Sequence, residues 1–146
     1  LQKKLNLLDL IPPEKKQGST LTTNQHNILI VDDDRSARFS LNGILERSGY
    51  NITEAKDGHE AVEQCKHSMP DLILMDINLP GMSGNEAAEY LKKENEYKEI
   101  PIIALSAVAM KHDIEKLEGL FDAYITKPVD FTNLMEEVNE QLGRTP

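Results

Sequence analysis

Ile28-Leu29-Ile30-Val31-Asp32-Asp33-Asp34 is the stretch whose reading decides the fold. Four aliphatic residues in succession, three of them β-branched, suit a strand covered on both faces, as in a parallel sheet flanked by helices. The run stops abruptly at three carboxylates. The same rhythm returns at Leu72-Ile73-Leu74-Met75-Asp76, at Ile102-Ile103-Ala104-Leu105-Ser106, and at Ala123-Tyr124-Ile125-Thr126-Lys127-Pro128. Each is a short β-prone run that ends in a charged or reactive group. A weaker strand is predicted over Tyr50–Glu54, and the last one over Asp122–Ile125.

Amphipathic stretches fill the intervals. Ala37, Leu41, Ile44 and Leu45 share a helical face, as do Ala61, Val62, Cys65 and Met69. Met110, Ile114, Leu117 and Phe121 follow the same spacing, and Phe131, Leu134, Met135, Val138 and Leu142 form the clearest stripe. Gly49 is placed to terminate the first helix. Asp57 with Glu60, and Ser83 with Glu86, read as capping boxes, and Asp130 as the cap of the last helix. Strand and helix in five-fold alternation predict an α/β fold: a doubly wound five-stranded parallel sheet, (β/α)5, flavodoxin-like in outline.

With 146 residues, 39% hydrophobic and 28% charged, the chain suits one globular domain. No apolar stretch has the length of a membrane span, and no signal-peptide pattern opens the sequence. One cysteine, Cys65, excludes an internal disulfide framework and fits a reducing cytoplasm. The net charge is -9, and residues 1–26 carry four lysines against Asp9 and Glu14, which leaves the remainder at -11. Such a body repels nucleic-acid phosphates, so direct nucleic-acid binding is not expected. Residues 1–26 stand apart: Leu1, Leu5 and Leu8 recur at helical spacing before Pro12-Pro13 and a polar stretch, which predicts a helix remnant followed by a flexible linker. The expected organisation is therefore 1–26 extension, 27–143 globular domain and 144–146 tail. A chain opening on Leu1 rather than Met is expected to be an excised or processed piece.

In a parallel sheet the carboxyl ends of the strands lie along one edge, where ligands bind. Asp32, Asp33, Asp76, Ser106 and Lys127 are thereby expected to meet. Adjacent carboxylates repel unless a cation sits among them, and a hard divalent ion such as Mg²⁺ (or Mn²⁺) suits oxygen donors. Asp34 reads better as a helix N-cap. Asp76, alone, would read as a turn residue before Asn78-Leu79-Pro80-Gly81; beside the acidic pair it reads as a nucleophile able to form an acyl phosphate. Ser106 is a candidate donor to a phosphoryl oxygen, and Lys127 a partner first for the carboxylate and then for the phosphate. The four histidines show no metal-ligand spacing and are expected at the surface.

Taken in order and spacing, these positions resemble the receiver domains of two-component response regulators over about residues 27–143. The resemblance implies that Asp33 is the main side-chain Mg²⁺ ligand, with Asp32 acting largely through water. It implies that Asp76 is phosphoacceptor and metal ligand, and that the Asn78 backbone carbonyl is a further ligand. Ser106 matches the family's Ser/Thr position, Tyr124 its aromatic switch, Lys127 its phosphate-binding lysine and Pro128 its Lys-Pro; Ala107 lies beside the site. A partner histidine kinase or histidine phosphotransfer protein is expected to dock near the first helix. The face made by the fourth helix, fifth strand and fifth helix is then expected to change its partners, which include an output protein or a tethered kinase core. Such a domain is not an enzyme beyond self-phosphorylation and self-dephosphorylation. The basic linker, the end of the last helix near residue 143 and the run Ala104–Lys116 suggest a receiver from a hybrid sensor histidine kinase, with a stand-alone regulator as the alternative. Gly119-Leu120-Phe121-Asp122-Ala123 departs from the usual pattern and touches the output face.

Three other readings compete. A haloacid-dehalogenase-like phosphatase would use Asp32 and Asp34 but leaves Asp76 idle. A flavodoxin-like cofactor module would need a phosphate loop where three aspartates stand. A pseudo-receiver would bind partners without phosphorylation, yet every reactive position is filled.

Overall fold

The computed structural model describes residues 26–79, 84–107 and 119–143. Five strands alternate with helices: β1 Asn27–Val31, α1 Arg35–Arg47, β2 Asn51–Ala55, α2 Gly58–His67, β3 Leu72–Asp76, α3 Gly84–Lys93, β4 Ile102–Ala107, β5 Ala123–Lys127 and α4 Phe131–Gly143. The strands form one parallel sheet in the order β2-β1-β3-β4-β5. The expected doubly wound α/β fold is therefore present.

Alternation along the strands divides the core in two. Leu29, Val31, Ile73, Met75, Ile102 and Ala104 point to the side covered by α2 and α3, against Ala61, Cys65, Ala87 and Leu91. Ile28, Ile30, Leu72, Leu74, Ile103 and Leu105 point to the side of α1 and α4, against Leu41, Leu45, Leu134 and Val138. Strands buried on both faces need apolar residues at every position, which is why β1 and β3 read as unbroken aliphatic runs. The chain leaves β1 toward β2 on one side and returns to β3 on the other. The sheet order thus reverses between β1 and β3, and a crevice opens outside their carboxyl ends.

Local signals hold where they fall within the described residues. Asp34 is the N-cap of α1, accepting from the Ser36 N–H at 2.9 Å. Asp57 accepts from the Glu60 N–H at 2.9 Å, while the Glu60 carboxylate reaches the Lys56 N–H, one residue earlier than a standard capping box. Asp130 caps α4 through the Thr132 N–H.

Several expectations are corrected. Tyr50 precedes β2 instead of opening it; it is buried, and its hydroxyl donates to Asn139 Oδ1 at 3.0 Å, which ties the end of α1 to α4. Met69 is 49% exposed because α2 ends at His67, two residues short of that turn. Phe131, the first residue of α4 and of its stripe, is 47% exposed and lines a cleft instead of the core. Phe121 is core but not helical; it follows a turn at Gly119. His26 is half-buried against Tyr50, whereas His59 and His67 are exposed. The proposed helix remnant and linker, the Ser83 cap, residues 110–118 of the predicted fourth helix, His112, and the 144–146 tail lie outside the described residues.

Gly49 closes α1 with φ at +99°, and no atom lies within 4 Å of where a Cβ would stand. Its requirement is therefore conformational rather than steric. Gly49→Ala is expected to cost about 1–2 kcal/mol in urea unfolding with the m-value unchanged; a neutral result would overturn this account of the α1–β2 turn.

Candidate functional site

The crevice outside β1 and β3 collects the charged strand ends. Asp32 follows β1, and its N–H still donates to Ala55 O at 3.1 Å, so its backbone extends the ladder with β2. Asp76 is the last residue of β3 and pairs in register with Leu105. Residues 28, 30 and 32, like 72, 74 and 76, keep strand parity, which turns both carboxylates toward the α1–α4 side. Lys127 at the end of β5 has the parity of Ile125 and reaches the same side. Its ammonium passes over β4, a span of about 10 Å between β5 and β3, to donate to Asp76 Oδ2 at 2.9 Å and Asp32 Oδ2 at 3.2 Å. Only a side chain as long as lysine or arginine closes that gap.

The remaining carboxylate oxygens are held by backbone. The Asn78 N–H donates to Asp76 Oδ1 and the Asp34 N–H to Asp32 Oδ1, both at 2.9 Å. Asp32 and Asp76 are buried while Asp33 is exposed. Each of the three offers a carboxylate oxygen, and these oxygens lie within 4.8 Å of one another. Three carboxylates therefore cluster where the Lys127 ammonium pairs with two of them. Burial lifts the Asp76 carboxyl above the ordinary range, and nearby Asp32 adds to this; the Asn78 N–H and Lys127 only partly offset them. Burial would pull Lys127 down, but the hydrogen bond and charge of Asp76, reinforced by Asp32, push it up. The donor set is all hard oxygen at one negative focus, which fits Mg²⁺ or Mn²⁺ and does not fit softer ions.

Ser106, fully buried on β4, has a hydroxyl oxygen with no hydrogen-bond partner among the described residues. A buried hydroxyl left unpaired costs free energy unless a ligand satisfies it. Ala107 is the exposed end of β4, in register with Lys127. The Lys127–Pro128 peptide is cis. Tyr124 is half-buried and meets Phe121 edge-on, ring centroids 5.8 Å apart. It pairs with Ala104, two residues short of the Ser106–Thr126 register. A cleft of about 280 Å³ opens beside the carboxylates between α1 and the β5–α4 loop, lined by Ala37, Ser40, Leu41, Pro128, Val129 and Phe131.

Two supports escaped sequence reasoning. Arg38 Nη1 donates to the Asp32 carbonyl at 2.7 Å, while its Nε pairs with Glu54 Oε1 at 2.9 Å; Asn42 holds the other Glu54 oxygen at 2.6 Å. Burial alone would raise Glu54, but the hydrogen bonds from Asn42 and Arg38 and the Arg38 and Arg35 charges outweigh it and hold the carboxyl low. Gly84, the first residue of α3, lies against the end of β3: a Cβ there would stand 2.5 Å from the Asp76 carbonyl oxygen and 2.8 Å from Ile77 Cα. A polar residue four places after an N-cap, or a glycine opening a helix, carries no such meaning in one dimension.

A doubly wound sheet with acidic strand ends, a lysine bridging them and a buried free hydroxyl defines the class of receiver modules. The response regulator receiver domain model matches residues 28–139, and the chain belongs to that family. Among curated proteins it is similar to the polar-differentiation response regulator DivK of Brucella anthropi, 38% identical over 118 residues, 80% of this chain and 96% of the relative. Among solved structures it is similar to the signal receiver domain of a signal transduction histidine kinase from Syntrophus aciditrophicus (TM-score 0.76, 32% identity, 83% of this chain and 95% of the other). It is equally similar in fold to the receiver domain of a sensor histidine kinase from Pseudomonas aeruginosa, solved with a magnesium ion in its active-site cleft (TM-score 0.76, 30% identity, 82% and 99% covered). The chain is thus a receiver domain of two-component signalling, a class of signalling module that binds Mg²⁺ at an acidic pocket and partners with histidine kinases and output domains. Among the described residues no helix is long and apolar enough to cross a membrane.

Two outcomes are expected. A carboxyl whose folded pKa is raised contributes stability that is complete below its unfolded pKa, about 3.9, and lost as pH rises through the folded value. With divalent ions chelated, Asp76→Asn should leave urea unfolding little changed near pH 3 and raise stability at pH 7 by roughly 1–2 kcal/mol. Gly84→Ala meets only backbone, so a cost of about 1–3 kcal/mol is expected, with a displaced Asn78 amide resonance; an unmoved resonance would show that α3 does not brace the end of β3.

Proposed function

We propose that Asp76 is the phosphoacceptor of a two-component phosphorelay and that residues 27–143 form the complete module for this chemistry. The observation that carries this reading is the Lys127 ammonium shared between Asp76 and Asp32 beside a third carboxylate. Asp33, Asp76 and the Asn78 carbonyl are the assigned Mg²⁺ (or Mn²⁺) ligands, with Asp32 acting largely through water. A bound ion neutralises the phosphoryl oxygens that these carboxylates would otherwise repel.

The remaining steps belong to the chain's own residues. An Asp76 carboxylate oxygen attacks phosphorus in line as the N–P bond of a partner phosphohistidine breaks. The products are an acyl phosphate and a histidine whose imidazole keeps the electron pair of the broken bond and takes a proton from solvent. Lys127 passes from pairing with the free carboxylate to pairing with the phosphoryl group. The Ser106 hydroxyl, unpartnered before reaction, donates to a phosphoryl oxygen. Its movement frees space into which Tyr124 turns, and the surface around β5 and α4 changes its affinity for output partners. Beyond such acyl-phosphate formation and loss, no catalytic turnover is assigned.

The donor is a histidine kinase or histidine phosphotransfer protein that docks over α1, where the cleft between α1 and the β5–α4 loop adjoins the carboxylates. Similarity to receiver domains of histidine kinases supports origin in a hybrid kinase, and similarity to DivK supports a separate regulator. The free buried thiol of Cys65 suits a cytoplasmic setting. A dehalogenase-like phosphatase is disfavoured because the Asp34 carboxylate is spent on capping α1.

Incubation with Mg²⁺ and a small acyl phosphate should add one phosphoryl group by intact mass, absent in Asp76→Asn and in chelated samples. No addition, together with no binding of beryllofluoride, would leave a pseudo-receiver. Ser106→Ala should unfold at the same or a higher urea concentration than wild type, because it removes an unpaired buried hydroxyl, yet accumulate less phosphoprotein.

A further inference from the structure

Asp33 has a place in the metal reading that its own side chain does not secure. Its carboxylate is exposed, and no described residue donates a hydrogen bond to it. Its position is therefore set by backbone: the 33–34 peptide is held where the Asp34 N–H donates to Asp32 Oδ1 at 2.9 Å, and the 32–33 peptide joins it to Asp32. The backbone is fixed on both sides of Asp32, once in the 31–32 peptide and once in the 32–33 peptide. The Asp32 N–H is held by Ala55 O on β2, and the Asp32 carbonyl by Arg38 Nη1 at 2.7 Å. The carbonyl contact fixes the rotation of the 32–33 peptide plane and hence where the Asp33 Cα and carboxylate stand.

Arg38 is itself fixed. Its Nε is paired with Glu54 at 2.9 Å on the neighbouring strand, and its side chain is only 16% exposed. Asn42, one turn further along α1, holds the second Glu54 oxygen. A guanidinium beside a cation site would ordinarily oppose the cation. Here Glu54 balances its charge, and the guanidinium bonds the Asp32 carbonyl, not a site carboxylate, so the contact orients without competing.

We propose that Arg38, anchored by Glu54 and Asn42, is a positioning residue for the divalent ion: it sets the geometry of the Asp32–Asp33 pair without being a ligand. The inference rests on the assignment of Asp33 as a metal ligand. It makes a prediction opposite to simple charge counting. Deleting a positive charge near a cation site should tighten the site on electrostatic grounds, whereas loss of a positioning contact behind a ligand weakens metal affinity by about tenfold or more. Lysine cannot substitute, because one ammonium lacks the planar fork that bonds a carbonyl and a carboxylate at once.

The test is Mg²⁺ titration of the 146-residue chain by calorimetry, without phosphodonor, with the Asp33 amide resonance followed in parallel. Arg38→Met and Arg38→Lys are expected to raise the Mg²⁺ Kd about tenfold and to shift the Asp33 amide before any metal is added. Glu54→Gln, which keeps shape but releases the guanidinium, should move the Kd in the same direction and remains available should an Arg38 variant not fold. Asp33→Asn should lose most binding. An unchanged or lower Kd in folded Arg38→Met or Glu54→Gln, with Asp33→Asn impaired, would overturn the positioning role alone. Wild-type binding by Asp33→Asn would overturn the metal assignment, and the positioning role with it.

Discussion

One ammonium, that of Lys127, stands between two buried carboxylates that the sheet cannot avoid bringing together. Parallel strands present their carboxyl ends on one edge, and the reversal of strand order brings the ends of β1 and β3 side by side. β3 ends in Asp76, and Asp32 directly follows β1. Without a counter-charge, two such groups in a poorly solvated crevice would favour protonation or local opening. Lys127 supplies that charge from two strands away and in doing so ties β5 to the centre of the sheet. The compensation is incomplete: Asp33 adds a third carboxylate, and Asp76 remains raised. The same imbalance that weakens the apo fold is what makes the crevice receptive to a divalent cation.

The surroundings of Asp76 are correspondingly stiff. β3 lies in the middle of the sheet, with Leu72 and Leu74 packed toward one pair of helices and Ile73 and Met75 toward the other. At its end the Asn78 N–H holds one carboxylate oxygen, and the absence of a side chain at Gly84 lets α3 approach the 76–77 peptide. Across the crevice Arg38, Glu54 and Asn42 bind the β1–α1 turn to β2. Tyr124 and Phe121, half-buried and buried, lie nearer the surface of the same sheet, where a rotamer change displaces less packed volume.

Much of this was legible in one dimension because it depends on short-range regularities. Unbroken apolar runs mark strands covered on both faces, and a run that ends in aspartate or lysine marks where the strand leaves the core. From these came the doubly wound sheet, the meeting of Asp32, Asp33, Asp76 and Lys127 at one edge, and the cap at Asp34. Errors arose where a helix boundary, not its period, decides burial. Met69 and Phe131 share the spacing of their stripes, yet one lies past the end of α2 and the other, at the first position of α4, lines a cleft. Phe121 has helical spacing but sits after the turn at Gly119.

Tertiary structure alone decided how the converging residues are held. That Lys127 bridges Asp76 and Asp32 at once depends on strand spacing and parity across β4. That Arg38 grips a carbonyl of the acidic turn depends on α1 lying over β2, and that Gly84 must lack a side chain depends on how closely α3 approaches β3. The sequence by itself determined which groups reach the edge, since strand period and termination are local properties. It could not determine which of them touch, because contact between residues up to 95 positions apart is set by the packing of whole elements.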